Sequence, residues 1–152
     1  MDQMLLTKTL LEKFEALGPQ PAYGELTFYY NPAQKLKRGT YFCTIKNQDG
    51  PNDRASDLSR ADVWRFNFGL PKKRFEAMFG PKPVRPSKGE TIKGHWDFRA
   101  FDRLMPHPVY GWMGWVCILN PRSETIASIW PDIECAYEKA KAGFEKRALK
   151  GV

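Results

Sequence analysis

Residues 102–120 hold the side chains best suited to chemistry, among them one of the chain's two histidines. His107 lies between two prolines, and Asp102 and Arg103 precede it. Imidazole titrates near neutral pH, so His107 could act as a general acid/base that Asp102 orients, with Arg103 holding an anionic substrate. The alternative, which we favour, is a turn whose prolines fix the backbone while the imidazole caps a main-chain carbonyl.

Loop aromatics beside glycines point to a ligand pocket. Trp96, Tyr110 and Trp112 could stack on a flat ligand or a base. Trp64 and Trp115 lie in apolar strand-like runs and are expected in the core. Basic side chains occur in the same neighbourhood of the sequence. The candidate ligand-binding residues are Arg103, Trp96, Tyr110, Trp112, His95, Arg85 and Lys88.

No complete catalytic or metal-binding motif occurs. His95, His107 and Asp97 or Asp102 could approach one another, but the chain has neither a His-x-x-x-His or His-Glu-x-x-His pair nor a Cys-His cluster. A Gly-x-Ser-x-Gly nucleophile elbow is also absent. We therefore predict no metal and no cofactor, and we favour a non-enzymatic protein.

The charge balance permits an anionic partner. The 152 residues carry a net charge of +7 and give an isoelectric point near 9.4. A basic surface attracts nucleic acid or other anions, although it is equally compatible with ordinary solubility. The sequence contains no helix-turn-helix, zinc-finger or RNP pattern that would specify nucleic acid.

Composition predicts a cytoplasmic globular domain formed by residues 1–152. Hydrophobic residues make up 42% and aromatic residues 14% of the chain, enough for a core. We expect no membrane contact, because no apolar run could span a bilayer and the start does not resemble a secretory signal. Three widely spaced cysteines without a Cys-x-x-Cys pair favour a reducing compartment. The sequence leaves a monomer and a homodimer equally open.

Hydrophobic periodicity predicts an α+β fold, an antiparallel sheet with helices packed on one face and a long C-terminal helix. Strict alternation in residues 63–68 indicates a strand covered on one face only, with Arg65 and Asn67 pointing away from Trp64, Phe66 and Phe68. Pro131 would kink or restart the last helix. The predicted strands are 23–30, 39–46, 63–68 and 116–119. The predicted helices are 4–17, 72–79, 98–104 and a region that starts at 123–124. Residues 47–62 should be an exposed loop or a short helical turn, and 81–96 a long basic loop.

Three stretches carry a family resemblance. They are Val-Trp-Arg-Phe-Asn-Phe-Gly-Leu from position 63, continuing into Lys-Arg-Phe-Glu-Ala-Met-Phe-Gly from 73, then Asp-Phe-Arg-Ala-Phe-Asp-Arg-Leu-Met-Pro-His-Pro-Val-Tyr from 97, and Gly-Trp-Val-Cys-Ile-Leu-Asn-Pro from 114. Over residues 25–147 the chain resembles an uncharacterised bacterial family, a domain of unknown function, so no catalytic residues transfer.

More distantly, the order of elements is similar to the MmcQ/YjbR group. This resemblance implies a compact α+β fold often labelled DNA-binding by structural analogy, which says little about function. The lysine-rich strand end usual in that group is replaced here by Phe-Asn-Phe-Gly at 66–69.

The functional prediction is a small non-enzymatic binding domain. A pocket between the long basic loop and the Pro-His-Pro turn would accept an anionic or aromatic ligand, with nucleic acid as one form of it. The alternatives are a small enzyme that uses His107, and a protein-interaction module that uses exposed aromatics.

Overall fold

The computed structural model of the protein describes residues 1–150. Its six strands are β1 (Leu17–Ala22), β2 (Glu25–Tyr30), β3 (Thr40–Lys46), β4 (Arg65–Gly69), β5 (Met105–Pro106) and β6 (Trp115–Leu119). They form one sheet in the order β1-β2-β3-β4-β6-β5, and every neighbouring pair is antiparallel. Strands β1 and β5 are therefore the sheet edges.

Three α-helices pack against this sheet: α1 (Gln3–Lys13), α2 (Lys72–Phe79) and α3 (Ser123–Lys150). Single 3₁₀ turns occur at Pro32–Gln34 and Gly111–Met113. Leu6 of α1, Phe75 of α2 and Ile133 of α3 join one hydrophobic cluster with the strands. Because all three helices share this cluster, they cover one face of the sheet. The predicted α+β arrangement with a long C-terminal helix is confirmed.

Helix α3 supplies the largest share of that cover. Its buried apolar side chains recur at helical spacing, as the sequence pattern predicts. The helix passes through Pro131 without a restart. The Thr40 hydroxyl donates to the Ala140 carbonyl over 2.7 Å, which ties α3 to strand β3. Among the described residues, no helix has the length and apolar character needed to span a bilayer.

The first helix is shorter than predicted, because part of the predicted segment belongs to the sheet. Helix α1 ends at Lys13, and Leu17 already begins β1. Strand β1 contains Pro19 and Pro21. A proline cannot donate a ladder hydrogen bond, so such a strand is tolerated at the edge that β1 occupies. The Gly-Pro pair at 18–19 lies inside this strand.

The short helix predicted over residues 98–104 is wrong. The Ala100 N–H donates to the Asp97 carbonyl over 3.1 Å, which closes a single turn. Phe101 then forms a β-bridge with Leu119. Asp102 has a φ of 57°, in the left-handed region that interrupts a right-handed helix.

Strand β4 is buried on both faces, which corrects the expectation of one covered face. Phe66 and Phe68 join the cluster beneath the helices. On the other face Arg65 and Asn67 are 0% and 1% exposed. Residues 47–62, which were predicted to be exposed, help to cover this second face of the sheet, and Ser56 among them is buried. The interior on this side combines these buried polar groups with a small apolar cluster of Leu58, Val63 and Leu119.

Candidate functional site

A buried polar cluster, formed by Thr44, Asp53, Ser56, Arg65, Asn67 and His107, occupies the sheet face opposite the helices. Arg65 is its centre. The guanidinium binds both carboxylate oxygens of Asp53, with nitrogen–oxygen distances of 2.5 and 3.0 Å. The same group donates to the Ser56 hydroxyl over 2.8 Å. A bidentate carboxylate matches the planar fork of arginine, so this geometry compensates for burial of the charge.

Asn67 joins the guanidinium to the next strand. Its amide oxygen accepts a hydrogen bond from Arg65 Nε over 2.7 Å, and its amide nitrogen donates to Thr44 Oγ1 over 2.8 Å. Thr44 and Asn67 are paired in the register of β3 and β4, which places them on the same face of the sheet. No buried side-chain nitrogen or oxygen among residues 1–150 lacks a hydrogen-bond partner. The polar groups of Arg65, Asn67 and Thr44 are therefore satisfied within the cluster.

The ion pair at the centre controls the charge of its members. Burial alone would raise the pKa of the Asp53 carboxyl, but the hydrogen bonds and charge of Arg65 outweigh it and hold the pKa below its ordinary value. Burial would likewise lower the pKa of Arg65, yet Asp53 raises it. Both groups are consequently charged at neutral pH.

His107 closes one side of the cluster. Its ring is buried at 3% exposure, and Nδ1 accepts hydrogen bonds from the main-chain N–H groups of Val109 and Tyr110, each over 3.0 Å. Two main-chain donors on Nδ1 assign the ring proton to Nε2. Nε2 lies 3.1 Å from Arg65 Nη2, which is itself a donor and cannot accept this proton, and the carboxylate oxygen Oδ2 of Asp53 lies 3.9 Å away. The imidazole thus accepts from backbone N–H groups, where we had expected it to cap a carbonyl.

The surroundings keep this imidazole neutral. Burial is the main cause that lowers the pKa of His107 well below its ordinary value, and the positive charge of Arg65 adds to it. Burial also raises the pKa of the neighbouring Cys117 thiol to about 12. Cys117 therefore stays protonated at neutral pH and is a poor nucleophile.

A pocket of about 440 Å³, which we call the basic-loop pocket, lies between residues 81–96 and strand β5. Its aromatic wall consists of Phe75 and Phe79 from α2 and Trp96 from the loop. Pro106 of β5 and Ile92 of the loop also line it. Contact between two of its rings holds the aromatic wall in place, since Trp96 packs edge-on against Phe79 with ring centroids 5.5 Å apart.

Basic side chains supply the polar part of the pocket lining. Lys93, His95 and Arg103 line it, and none of the lining residues is acidic. All three are exposed. Within residues 1–150, neither Lys93 nor Arg103 forms an ion pair with a carboxylate. Their charge is thus uncompensated by the protein, in contrast to that of Arg65.

Gly94 allows Trp96 to fold back against the loop backbone. Its φ is +149°, and a Cβ at this position would lie 2.6 Å from the indole Nε1. An L-residue would be strained here and would displace the ring. The glycine is therefore a local requirement of the aromatic wall.

The structure brings together only some of the predicted ligand-binding residues. His95, Trp96 and Arg103 line the basic-loop pocket. The others are outside its lining: Arg85, Lys88, Tyr110 and Trp112. Arg85 instead lies over the Trp112 ring at 4.7 Å from its centroid.

Asp102 and His107, the predicted catalytic pair, make their hydrogen bonds with different partners. Asp102 Oδ1 accepts a hydrogen bond from the Arg122 main-chain N–H over 2.9 Å, near the start of α3. Burial would raise the pKa of Asp102, but this hydrogen bond and the Arg122 charge lower it. The carboxylate beside the His107 ring is that of Asp53. A role for His107 in acid/base chemistry, which we predicted as the alternative, would thus depend on a different carboxylate and on opening of the buried turn.

Sequence reasoning missed the centre of the buried polar cluster. Asp53 and Ser56 lie in the segment that was predicted to be exposed, and their partner Arg65 was assigned to a solvated face. One signal was present, since two polar residues alternate with aromatic residues in β4. Alternation alone does not show whether a polar face meets water or other side chains.

Metal chemistry receives no geometric support from the residues described. Among residues 1–150 no three His, Cys, Asp or Glu side chains are grouped so that they could hold an ion. The three cysteines are free thiols.

A second and larger groove, of about 920 Å³, lies between α1 and the β1–β2 turn. Exposed apolar side chains such as Met4, Leu11 and Tyr23 line it. The groove contains Lys8 together with Glu12 and Glu25, so its charges oppose one another. It lacks the convergent polar groups that orient a small ligand, and we regard the basic-loop pocket as the better candidate site.

Comparisons with known proteins assign a family without an activity. No curated protein and no solved structure matches the chain significantly. A family model matches residues 1–149, nearly the whole sequence, and its description gives no function. The chain therefore belongs to the family of unknown function DUF6194.

Proposed function

We propose that the protein binds a small aromatic anion in the basic-loop pocket. The observation that carries the proposal is the composition of the lining, which combines three aromatic rings with three basic side chains and no carboxylate. A flat ligand could stack on Trp96 or Phe79 while its acidic group contacts Arg103 or Lys93. Such a division between apolar walls and a few polar groups is typical of small-molecule sites.

The dimensions agree with this ligand class. Ligand pockets commonly enclose roughly 300–1,000 Å³, and the basic-loop pocket encloses about 440 Å³. The long loop that forms one side includes Pro81 and Pro83. Proline restricts backbone freedom, so it lowers the entropy lost when a loop is fixed by a ligand.

The test compares two probes that share the same aromatic ring system. Naphthalene-1-sulfonate is an aromatic anion, and naphthalene-1-methanol is its neutral counterpart. We expect ¹H–¹⁵N spectra to show saturable shifts around Trp96 and Arg103 with the sulfonate, and binding at least about fivefold weaker with the alcohol, equivalent to about 1 kcal/mol. Equal affinity for both probes would remove the anionic part of the proposal, and no binding of either would reject it.

Variants locate the bound probe. Arg103→Gln should weaken binding of the sulfonate without changing binding of the alcohol, whereas Trp96→Ala should weaken both. Arg85→Gln is the matched control, because it removes the same charge from a position outside the lining. If Arg85→Gln and Arg103→Gln weaken sulfonate binding equally, the probe responds to general surface charge and the assigned site is wrong.

Nucleic acid combines the same two features as the small ligand, a flat aromatic ring and a negative charge. A base could stack on Trp96 while phosphates contact the basic side chains. We expect a single-stranded dodecanucleotide to compete with the sulfonate if this form applies, with affinity that falls steeply as salt increases. Failure to compete at low salt would restrict the proposal to small ligands.

Other expectations from the sequence stay predictions. The proposal includes the single-domain organisation over residues 1–152, the MmcQ/YjbR-like relationship, and a bacterial cytoplasmic location that the buried free thiols Cys43 and Cys117 support. A monomer and a homodimer are both compatible with it. The enzyme and interaction-module alternatives have no additional observation in their favour.

A further inference from the structure

We infer that protonation of His107 opens the basic-loop pocket and thereby lowers its affinity for an aromatic anion. This inference rests on the proposed function and concerns the regulation of the same site. The buried polar cluster then acts as a positioning device for one wall of the pocket. His107 itself lies outside the lining.

The Nδ1 lone pair of His107 is committed in the neutral state. Nδ1 accepts two main-chain hydrogen bonds, from Val109 and Tyr110, and Nε2 carries the ring proton, which faces the guanidinium of Arg65 without a hydrogen bond between the two donors. An imidazolium has no free lone pair, so it cannot accept either main-chain hydrogen bond. A second proton would therefore release both N–H groups of the turn and place a positive charge 3.1 Å from the guanidinium.

The turn that would be released holds the pocket wall. Pro106, which lines the pocket, is bonded directly to His107. The Ile92 N–H donates to the Pro108 carbonyl over 2.8 Å, which fixes the long loop to this turn. Gly111 is packed so closely that a Cβ there would lie 3.0 Å from Ile92 and 3.3 Å from Pro106. Movement of the turn would consequently act on Ile92 through this hydrogen bond and on Pro106 through the packing of Gly111.

The charges around the ring do not stabilise a second proton. The charged groups that act on the ring are Arg65 of β4, Asp53 of the 47–62 loop and Lys46 of β3. The Tyr110 ring packs against it, and the Cys117 thiol of β6 contacts the carbonyl of the preceding residue, Pro106. Two of the charged groups are cations, and the carboxylate of Asp53 is already bound by Arg65. Proton uptake at His107 is accordingly unfavourable while the turn keeps its hydrogen bonds to Nδ1, which is the closed state. It therefore shifts the equilibrium toward the open state, in which these hydrogen bonds are released.

The second histidine lies at the pocket itself. His95 is exposed and lines the pocket. The His95→Gln background leaves His107 as the remaining histidine, so the experiment isolates its contribution.

The experiment measures naphthalene-1-sulfonate affinity of the full chain from about pH 7.5 down to the lowest pH at which circular dichroism stays native, because burial lowers the pKa of His107 below the range in which histidines commonly titrate. In His95→Gln we expect affinity to fall by up to about tenfold per pH unit below the protonation of His107. In the double variant with His107→Asn, whose amide oxygen can still accept from the turn, the affinity should change less than about twofold. Equal pH dependence in both variants would overturn the inference.

A second measurement needs neither the probe nor the His107 variant. In His95→Gln, the His107 ring resonances and the Ile92 and Tyr110 amide resonances should shift with one common midpoint while circular dichroism stays native. An Ile92 amide that does not follow the ring, or a ring that takes up no proton before the protein unfolds, would overturn the inference. Absence of probe binding at about pH 7.5 would instead reject the proposed function, and the amide titration would still test the opening.

Discussion

The buried polar cluster and the basic-loop pocket differ in what balances their positive charge, although they meet at consecutive residues. Pro106 lines the pocket, and His107 belongs to the cluster. Arg65 in the cluster is fully buried and bidentate with Asp53. Arg103 at the pocket is exposed and has no carboxylate partner within residues 1–150. The guanidinium of Arg65 therefore stabilises the fold within the cluster, whereas that of Arg103 has no protein partner at the pocket.

The largest expected difference between the two regions is in the free energy of unfolding. Arg65→Met should lower the free energy of unfolding by roughly 3–5 kcal/mol, because it leaves the Asp53 carboxylate without its partner in a largely buried site. Arg103→Met should change it by less than about 0.5 kcal/mol. Urea denaturation followed by circular dichroism measures both. Similar losses in the two variants would abolish the distinction between cluster and pocket.

Asn67→Leu tests whether the cluster depends on its whole hydrogen-bond network. The substitution leaves Arg65 Nε and Thr44 Oγ1 without their partner. A buried unsatisfied donor costs about 1–3 kcal/mol, so we expect a loss of this size in urea denaturation. Thr27→Val, at another buried polar position of the sheet, is a control for the insertion of an apolar side chain. No loss in Asn67→Leu would mean that the ion pair alone holds the cluster.

Acid should weaken the fold through His107. Its pKa in the folded state is lowered, so the unfolded chain binds the proton first as pH falls. The stabilisation is complete above the unfolded value near pH 6.5 and decreases by up to about 1.4 kcal/mol per pH unit below it. Urea midpoints measured through this range should show the slope, and His107→Asn should remove it. The lowered pKa of Asp53 acts in a separate window, below the ordinary aspartate range.

The smallest effect is expected outside both regions. Arg85 contributes an exposed cation–π contact with Trp112, which is worth about 0.5–1 kcal/mol. Arg85→Gln should lower the melting temperature slightly and leave binding of naphthalene-1-sulfonate unchanged. Weakened binding in this variant would extend the binding surface toward Tyr110 and Trp112, as the sequence first predicted.

Local patterns predicted most of the fold because the apolar face of the sheet follows simple periodicity. The 72–79 helix matches α2, and the long stripe after Ser123 matches α3. Strand β1 was missed since two prolines normally exclude a strand, and only its place at the sheet edge makes them acceptable. Strand β5 has two residues and is defined by pairing with β6, which leaves no periodic signal.

The candidate site was predictable only in its general position. The long basic loop, its tryptophan and the segment before the Pro-His-Pro turn predicted a pocket between them, and the structure has a cavity there. Which aromatic residues line it depends on loop conformation. Trp96 lines the pocket because it packs on Phe79, whereas Trp112 contacts Arg85.

The sequence by itself determined the helices α2 and α3, the central strands, the α+β class and the excess of basic side chains, because these follow from local spacing and composition. Tertiary structure alone decided which of those side chains are neutralised. Asp53 and Arg65 are 12 positions apart in the chain, and His107 lies 42 positions beyond Arg65. Only folding brings them within hydrogen-bonding distance. Burial then makes their pairing obligatory, since an unpaired charge removed from water is costly.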